Sequence, residues 1–236
     1  MEFDLLKRPD STVVHVSLSP HEEILAEAGA MVAMSGHLQA ETTLRKGKGG
    51  GILGGLKRML AGESIFLSTF RSGNSPGDLY LAPKLMGDVC HVGIGSTGSA
   101  LGGSGSGLVV QSTGYLASTP GVVVDLGFQG LKSFFSGESI FWLDISGDGV
   151  VFLSSFGAIY EIEVDGSYVV DTGHIVAFEK TLTFTVTKAG GSWLNAILGG
   201  EGLVMRFQGH GKLYCQTHNA GAFGQLVGSQ LPAREA

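Results

Sequence analysis

Two short patterns alternate along this chain, each occurring three times, and that internal repeat constrains the fold more than any other feature. The first pattern is a small or acidic pair, Gly, a variable residue, two apolar residues and Ala. It reads Glu27-Ala28-Gly29-Ala30-Met31-Val32-Ala33, then less strictly Ser112-Thr113-Gly114-Tyr115-Leu116-Ala117, then Asp171-Thr172-Gly173-His174-Ile175-Val176-Ala177. The second opens on Gly-Glu: Gly62-Glu63-Ser64-Ile65-Phe66, Gly137-Glu138-Ser139-Ile140-Phe141 and Gly200-Glu201-Gly202-Leu203-Val204. Strict alternation of two unrelated motifs by chance is rare. The chain therefore reads as three tandem copies of one unit, with boundaries at residues 1–80, 81–156 and 157–236.

Each copy is predicted to be β-structure. Thr12-Val13-Val14-His15-Val16, Tyr160-Glu161-Ile162-Glu163-Val164 and Thr181-Leu182-Thr183-Phe184-Thr185-Val186 alternate with the period of two of half-buried strands. After each Gly-Glu pattern come a strand, a glycine-bearing turn at 72–77, 147–149 or 209–211, and a second strand. Those turns hold residues that tolerate positive φ, so each unit is expected to end in a β-hairpin. A single unit would leave an apolar face uncovered. The three are thus expected to pack around a shared pseudo-threefold axis.

Composition agrees. With 39 Gly, 6 Pro and 15% charged residues, the chain is too apolar for disorder and too rich in glycine for a helical bundle. No Asp, Glu, Lys or Arg lies between Asp88 and Asp125, but that stretch is filled with Gly, Ser and Thr and broken by Pro120. A spanning helix needs about 20 predominantly apolar residues. A net charge of −6 argues against a broad nucleic-acid footprint. Two cysteines make no disulfide framework, and Met1-Glu2-Phe3-Asp4 opens no signal peptide, so a cytoplasmic location, peripheral to a membrane, is expected.

Several blocks, in order, resemble one family: Glu27 to Met34, Leu56-Lys57-Arg58-Met59-Leu60-Ala61-Gly62-Glu63-Ser64, Val170 to Phe178, and Gly199-Gly200-Glu201-Gly202-Leu203. They are similar to the bacterial and archaeal relatives of the yeast altered-inheritance-of-mitochondria protein, over roughly Leu25 to Asn219. The resemblance implies an all-β fold of three β-sandwich or double-stranded β-helix modules like the trp RNA-binding attenuation protein, TRAP. It also implies a link to membrane organisation or membrane-bound partners, and it brings no catalytic residues. Cys215-Gln216-Thr217-His218-Asn219 departs from the Gln-Thr-Arg-Asn common in relatives, which removes a permanent positive charge.

Motifs for chemistry are weak. Gly93-Ile94-Gly95-Ser96-Thr97-Gly98 has dinucleotide-fingerprint spacing, but Ser99 to Gly105 is poor helix material, so a flexible turn is predicted. Gly47-Lys48 and Gly211-Lys212 lack the following Ser or Thr of a phosphate loop, and no Gly-x-Ser-x-Gly elbow occurs. Cys215 and His218, three apart on a strand, are expected to face opposite ways. Glu63, Glu138 and Glu201 could meet around an axis to hold a cation, although a carboxylate beside a turn glycine more simply accepts backbone N–H groups. No cofactor and no metal are expected. Arg45-Lys46-Gly47-Lys48 and Lys57-Arg58 lack interleaved aromatics for base stacking, so nucleic acid is a poor partner.

One further feature recurs. Ahead of each Gly-Glu lies a short apolar stretch of helical spacing: Leu56 and Leu60 around Lys57 and Arg58; Leu131, Phe134 and Phe135 beside Lys132; Trp193, Leu194, Ile197 and Leu198. These turns are predicted to form one rim that meets a protein partner or a membrane surface, with Gly62, Glu63, Gly137, Glu138, Gly200 and Glu201 as structural turns. The plainer alternative is that they cap the β units. The expected function is a non-enzymatic scaffold that forms a homo-oligomer; the alternative is an RNA- or small-ligand-binding TRAP-like assembly.

Overall fold

The computed structural model describes residues 1–45, 65–101, 104–125, 141–188 and 203–232. Burial alternates along β2 (Val13–Leu18), where Val14, Val16 and Leu18 are buried and Val13, His15 and Ser17 are half-buried. Beside it lies β1 (Glu2–Leu6), antiparallel, with Glu2 opposite Ser17 and Leu6 opposite Val13. Next come β3 (Glu23–Glu27), β4 (Met31–Met34), β5 (Gln39–Arg45), β6 (Ile65–Arg71) and β7 (Gly77–Leu81). The first and third strands of this unit, β2 and β4, flank β7; the second and fourth, β3 and β5, flank β6.

The same scheme returns in the second unit: β8 (Val89–Ile94), β9 (Leu108–Gln111), β10 (Tyr115–Ser118), β11 (Val122–Asp125), β12 (Trp142–Gly147) and β13 (Gly149–Ser154). Here β8 and β10 flank β13, while β9 and β11 flank β12. In the third unit two long strands replace four. β14 (Ile159–Asp171) pairs with β17 (Leu203–Gln216) over its whole length, and Gly166 and Gly209 stand opposite each other in that ladder. Their φ values of +99° and +118° are open to glycine and strained for other residues. β15 (Ile175–Glu179) and β16 (Thr183–Lys188) complete the unit against the two ends of β17.

The expected hairpins are therefore corners. β6 and β7 belong to different sheets, as do β12 and β13, and β17 runs through 209–211 without a break. Gly147, at φ +90°, turns the chain out of one sheet into the other. Glycine-bearing turns of this kind serve a corner as well as a hairpin, and sequence does not separate them. The first repeat pattern also shifts by one in the second unit. A bulge falls between Met31 and Ala33, between Tyr115 and Ala117, and between Ile175 and Ala177. Tyr115 thus matches Met31 and Ile175, and Thr113, rather than Gly114, takes the place of Gly29 and Gly173. The two apolar residues and Ala of the pattern are the bulge itself.

Strands also join the units. β3 pairs with β10, and β9 pairs with β15, so each junction fuses half of one unit to half of the next in a continuous sheet. The central core follows: Leu25 and Leu67 from the first unit, Leu143, Val151 and Leu153 from the second, and Val176 and Tyr214 from the third pack into one cluster. Burying each such side chain contributes roughly 1.5–3 kcal/mol. Two further clusters fill the outer units.

Among the described residues, two α-helices break the β pattern. Gly95–Leu101 forms where a flexible turn was predicted, and Ala220–Gln230 forms beyond the last strand, where no helix was predicted. No described helix is long and apolar enough to cross a membrane.

Candidate functional surface

Every residue of the predicted rim (Leu56, Lys57, Arg58, Leu60, Leu131, Lys132, Phe134, Phe135, Trp193, Leu194, Ile197 and Leu198) lies outside the described residues. So do the Gly-Glu pairs at 62–63, 137–138 and 200–201. What can be placed is where the chain leaves the described strands. All three stretches connect the fourth strand of a unit to the fifth, whose near ends pair as Arg45 with Ile65, Asp125 with Asp144 and Lys188 with Leu203.

The fingerprint-like segment is filled from within. Asp148, on the corner between β12 and β13, accepts hydrogen bonds from Ser96 Oγ, from Thr97 Oγ1 at 2.5 Å and from Thr97 N at 3.1 Å. These donors, Ser96 first, hold its carboxyl down to about 2. A carboxylate thus occupies the first turn of the helix, the place a phosphate would need. The capping residue comes from fifty positions downstream, which is why the helix was invisible in local sequence.

Cys215 and the phenol of Tyr214 belong to the core, and Cys90 packs half-buried against it. Burial pushes Cys90 and Cys215 up to about 12 and raises Tyr214 as well. Cys215 is fully buried beside Val109 and Leu213, whereas His218 packs its ring on Phe156 and bonds Thr217 Oγ1, so the two do not converge. Asp88 is a structural knot near the border of the first two units. It is 2% exposed and accepts from Arg8 Nε at 2.8 Å, Arg8 Nη2 at 2.7 Å, Thr12 Oγ1 at 2.8 Å and Val89 N at 2.8 Å. Burial pushes its pKa up, but these donors outweigh it and hold the carboxyl below the ordinary range. Among basic side chains, Arg71 pairs with Glu23 and Glu41, Lys84 with Glu27, Lys180 with Asp144 and Lys212 with Glu161.

What the described residues do present is apolar surface. Along the C-terminal helix, Phe223, Leu226 and Val227 fall at i, i+3 and i+4, and no residue of the helix is buried. Leu226 and Leu231 are each 65% exposed. The helix starts from a fixed point: Asn219 caps it through Ala222 N and lies against Gly173, where a Cβ would come within 1.9 Å of its amide nitrogen. Phe223 touches Phe156 with ring centroids 5.2 Å apart. Sequence reasoning passed over this helix because its three glycines argue against helix.

Comparison with known proteins places this arrangement. The sequence profile described as "Mitochondrial biogenesis AIM24" matches residues 3–218. An uncharacterized protein of Streptococcus pyogenes serotype M6 is 27% identical over 239 residues, covering 98% of this chain and 92% of that protein. A crystal structure of a Streptococcus pyogenes protein superposes with a TM-score of 0.74 at 24% identity, covering 98% of this chain and 99% of that one. That likeness shows the shared all-β fold.

Proposed function

This chain belongs to the mitochondrial biogenesis AIM24 family, and we propose that it works within it as a non-enzymatic scaffold that engages a membrane-linked protein or the membrane surface. The C-terminal helix carries the reading. Each interior glycine costs about 1 kcal/mol of helix stability relative to alanine, and isolated helices of this length are marginal in water. Ala220–Gln230 has three glycines, no charged residue and no buried residue. Its conformation gains stability from a surface outside the chain, where Leu226, Val227 and Leu231 would bury their side chains. The chemistry of the described residues supports the same view, since both thiols are pushed up to about 12 and the tightly held carboxylates of Asp88 and Asp148 satisfy backbone and side-chain donors.

The test compares wild type with Leu226→Glu/Leu231→Glu and, separately, with Leu56→Glu/Phe134→Glu/Ile197→Glu, in vesicle flotation, partner capture from membrane fractions and thermal melting. Lost flotation or capture with an unchanged melt in the first variant supports docking by the helix; the same result in the second supports the rim. Wild type that neither floats nor captures a partner sinks the scaffold reading. Salt-sensitive binding of RNA by the same preparation would favour a nucleic-acid function instead.

A further inference from the structure

The two junctions inside the chain are made from the same parts in the same register. Ala117 stands opposite Ala26 and Ser118 opposite Leu25; Ala177 stands opposite Val110 and Phe178 opposite Val109. In each, the third strand of one unit brings its bulge to the second strand of the unit before it. The bulge residues disappear there: Tyr115, Leu116 and Ala117, and likewise Ile175, Val176 and Ala177, are all 0% exposed.

β4 carries the same bulge in the first unit, with β7 its one partner among the described strands. Its Met31 is 42% exposed, Val32 is 60% exposed, and Ala33 is exposed as well. Residues 167–171 of β14 form the second strand of the third unit. Tyr168 and Val169 are each 44% exposed, whereas their counterparts Ile24, Leu25, Leu108 and Val109 are at most 6% exposed. Among the described strands, β4 pairs only with β7 and β14 only with β17. Met31–Met34 contains no charged residue or proline, the usual guards of a free sheet edge, and residues 167–171 contain one, Asp171 at the end of the strand.

We propose that copies of this chain join head to tail through these edges. β4 of one copy pairs antiparallel with residues 167–171 of the next, Ala33 opposite Val170 and Met34 opposite Val169. The half-sheet β2–β7–β4 and the half-sheet β16–β17–β14 then form a third composite antiparallel sheet like the two already inside the chain. The two edges are complementary and unlike each other, so the contact is heterologous and propagates; it closes into a ring or extends as an open chain according to the rotation per unit. The proposal does not rest on the scaffold reading of the C-terminal helix.

Cross-strand positions suit a disulfide, and of the native thiols Cys215 is buried and Cys90 half-buried, both pushed up to about 12. The experiment therefore mixes Ala33→Cys protein with Val170→Cys protein under mild oxidation and reads non-reducing gels. A covalent dimer in the mixture, absent from either protein alone and abolished by adding Val169→Glu to the Val170→Cys chain, is expected. The double variant, with both cysteines in one chain, should give a ladder of multimers. A double variant that yields only a monomer closed on itself overturns the proposal, because the edges then meet within one chain. Dimers from Ala33→Cys alone, or no cross-link in the mixture despite an unchanged thermal melt, overturn it as well. Light scattering of wild type across a concentration series gives the independent readout: mass that rises in whole-chain steps is expected, and a constant single-chain mass overturns the proposal.

Discussion

Asp88 shows how much a single buried side chain carries. Substituting Asp88→Asn keeps its shape but removes the charge that Arg8, Thr12 and Val89 N share, at a cost of about 1–3 kcal/mol. A thermal melt at pH 7 reads this as a lowered midpoint. The pH dependence has a fixed sign. A carboxyl whose folded pKa is depressed contributes stability above its unfolded value, near 4, and loses it as pH falls through the folded value. The gap in melting midpoint between wild type and Asp88→Asn should accordingly shrink below about pH 4. The cysteines give a second expectation: with Cys215 buried, Cys90 half-buried and both thiols pushed up to about 12, native protein should label far more slowly with iodoacetamide at pH 8 than unfolded protein does. Asp88 drew no attention in the sequence because its partners lie 76 and 80 positions away.

At the level of elements, glycine sets both the corners and the close approaches. Gly87 bridges Gly157, and a Cβ on Gly87 would meet the Ser155 carbonyl oxygen at 1.8 Å. Gly87→Ala should therefore destabilise by several kcal/mol through displaced backbone, which denaturant titration measures as a lowered midpoint with an unchanged slope. The opposite holds on the C-terminal helix, where nothing lies within 4 Å of a Cβ built at Gly224 or Gly228. The double change to alanine should raise helicity by circular dichroism, worth about 1 kcal/mol per site, without altering the core. Periodicity made several strands legible: β2, β14 and β16 fall close to where alternation puts them, and β7 and β13 follow the glycine-bearing turns as the second strands expected there. Their partners were not legible, since the residues of β6 and β7 look like a hairpin and yet belong to separate sheets.

For the whole molecule, the joined sheets mean that no unit stands alone. The middle unit shares β10 with β3 and β9 with β15, and its core is completed by Leu25, Leu67, Val176 and Tyr214 from its neighbours. A fragment of residues 81–156 should be unfolded by circular dichroism and amide dispersion, and the full chain should melt in one transition with matching calorimetric and van't Hoff enthalpies. The sequence by itself determined the β character, the threefold repetition and the family, because those follow from residue periodicity and from patterns that recur in order. It also marked Met31-Val32-Ala33, Tyr115-Leu116-Ala117 and Ile175-Val176-Ala177 as equivalent, the second only with a one-residue slip. Tertiary structure alone decided that these triplets are bulges, that the presumed hairpins are corners, and that one triplet stays exposed while the other two are sealed. The physical reason is that alternation records which face of a strand is buried, whereas hydrogen bonds between strands are made by backbone groups that every residue carries alike. Which edge meets which is therefore fixed by how the units stack.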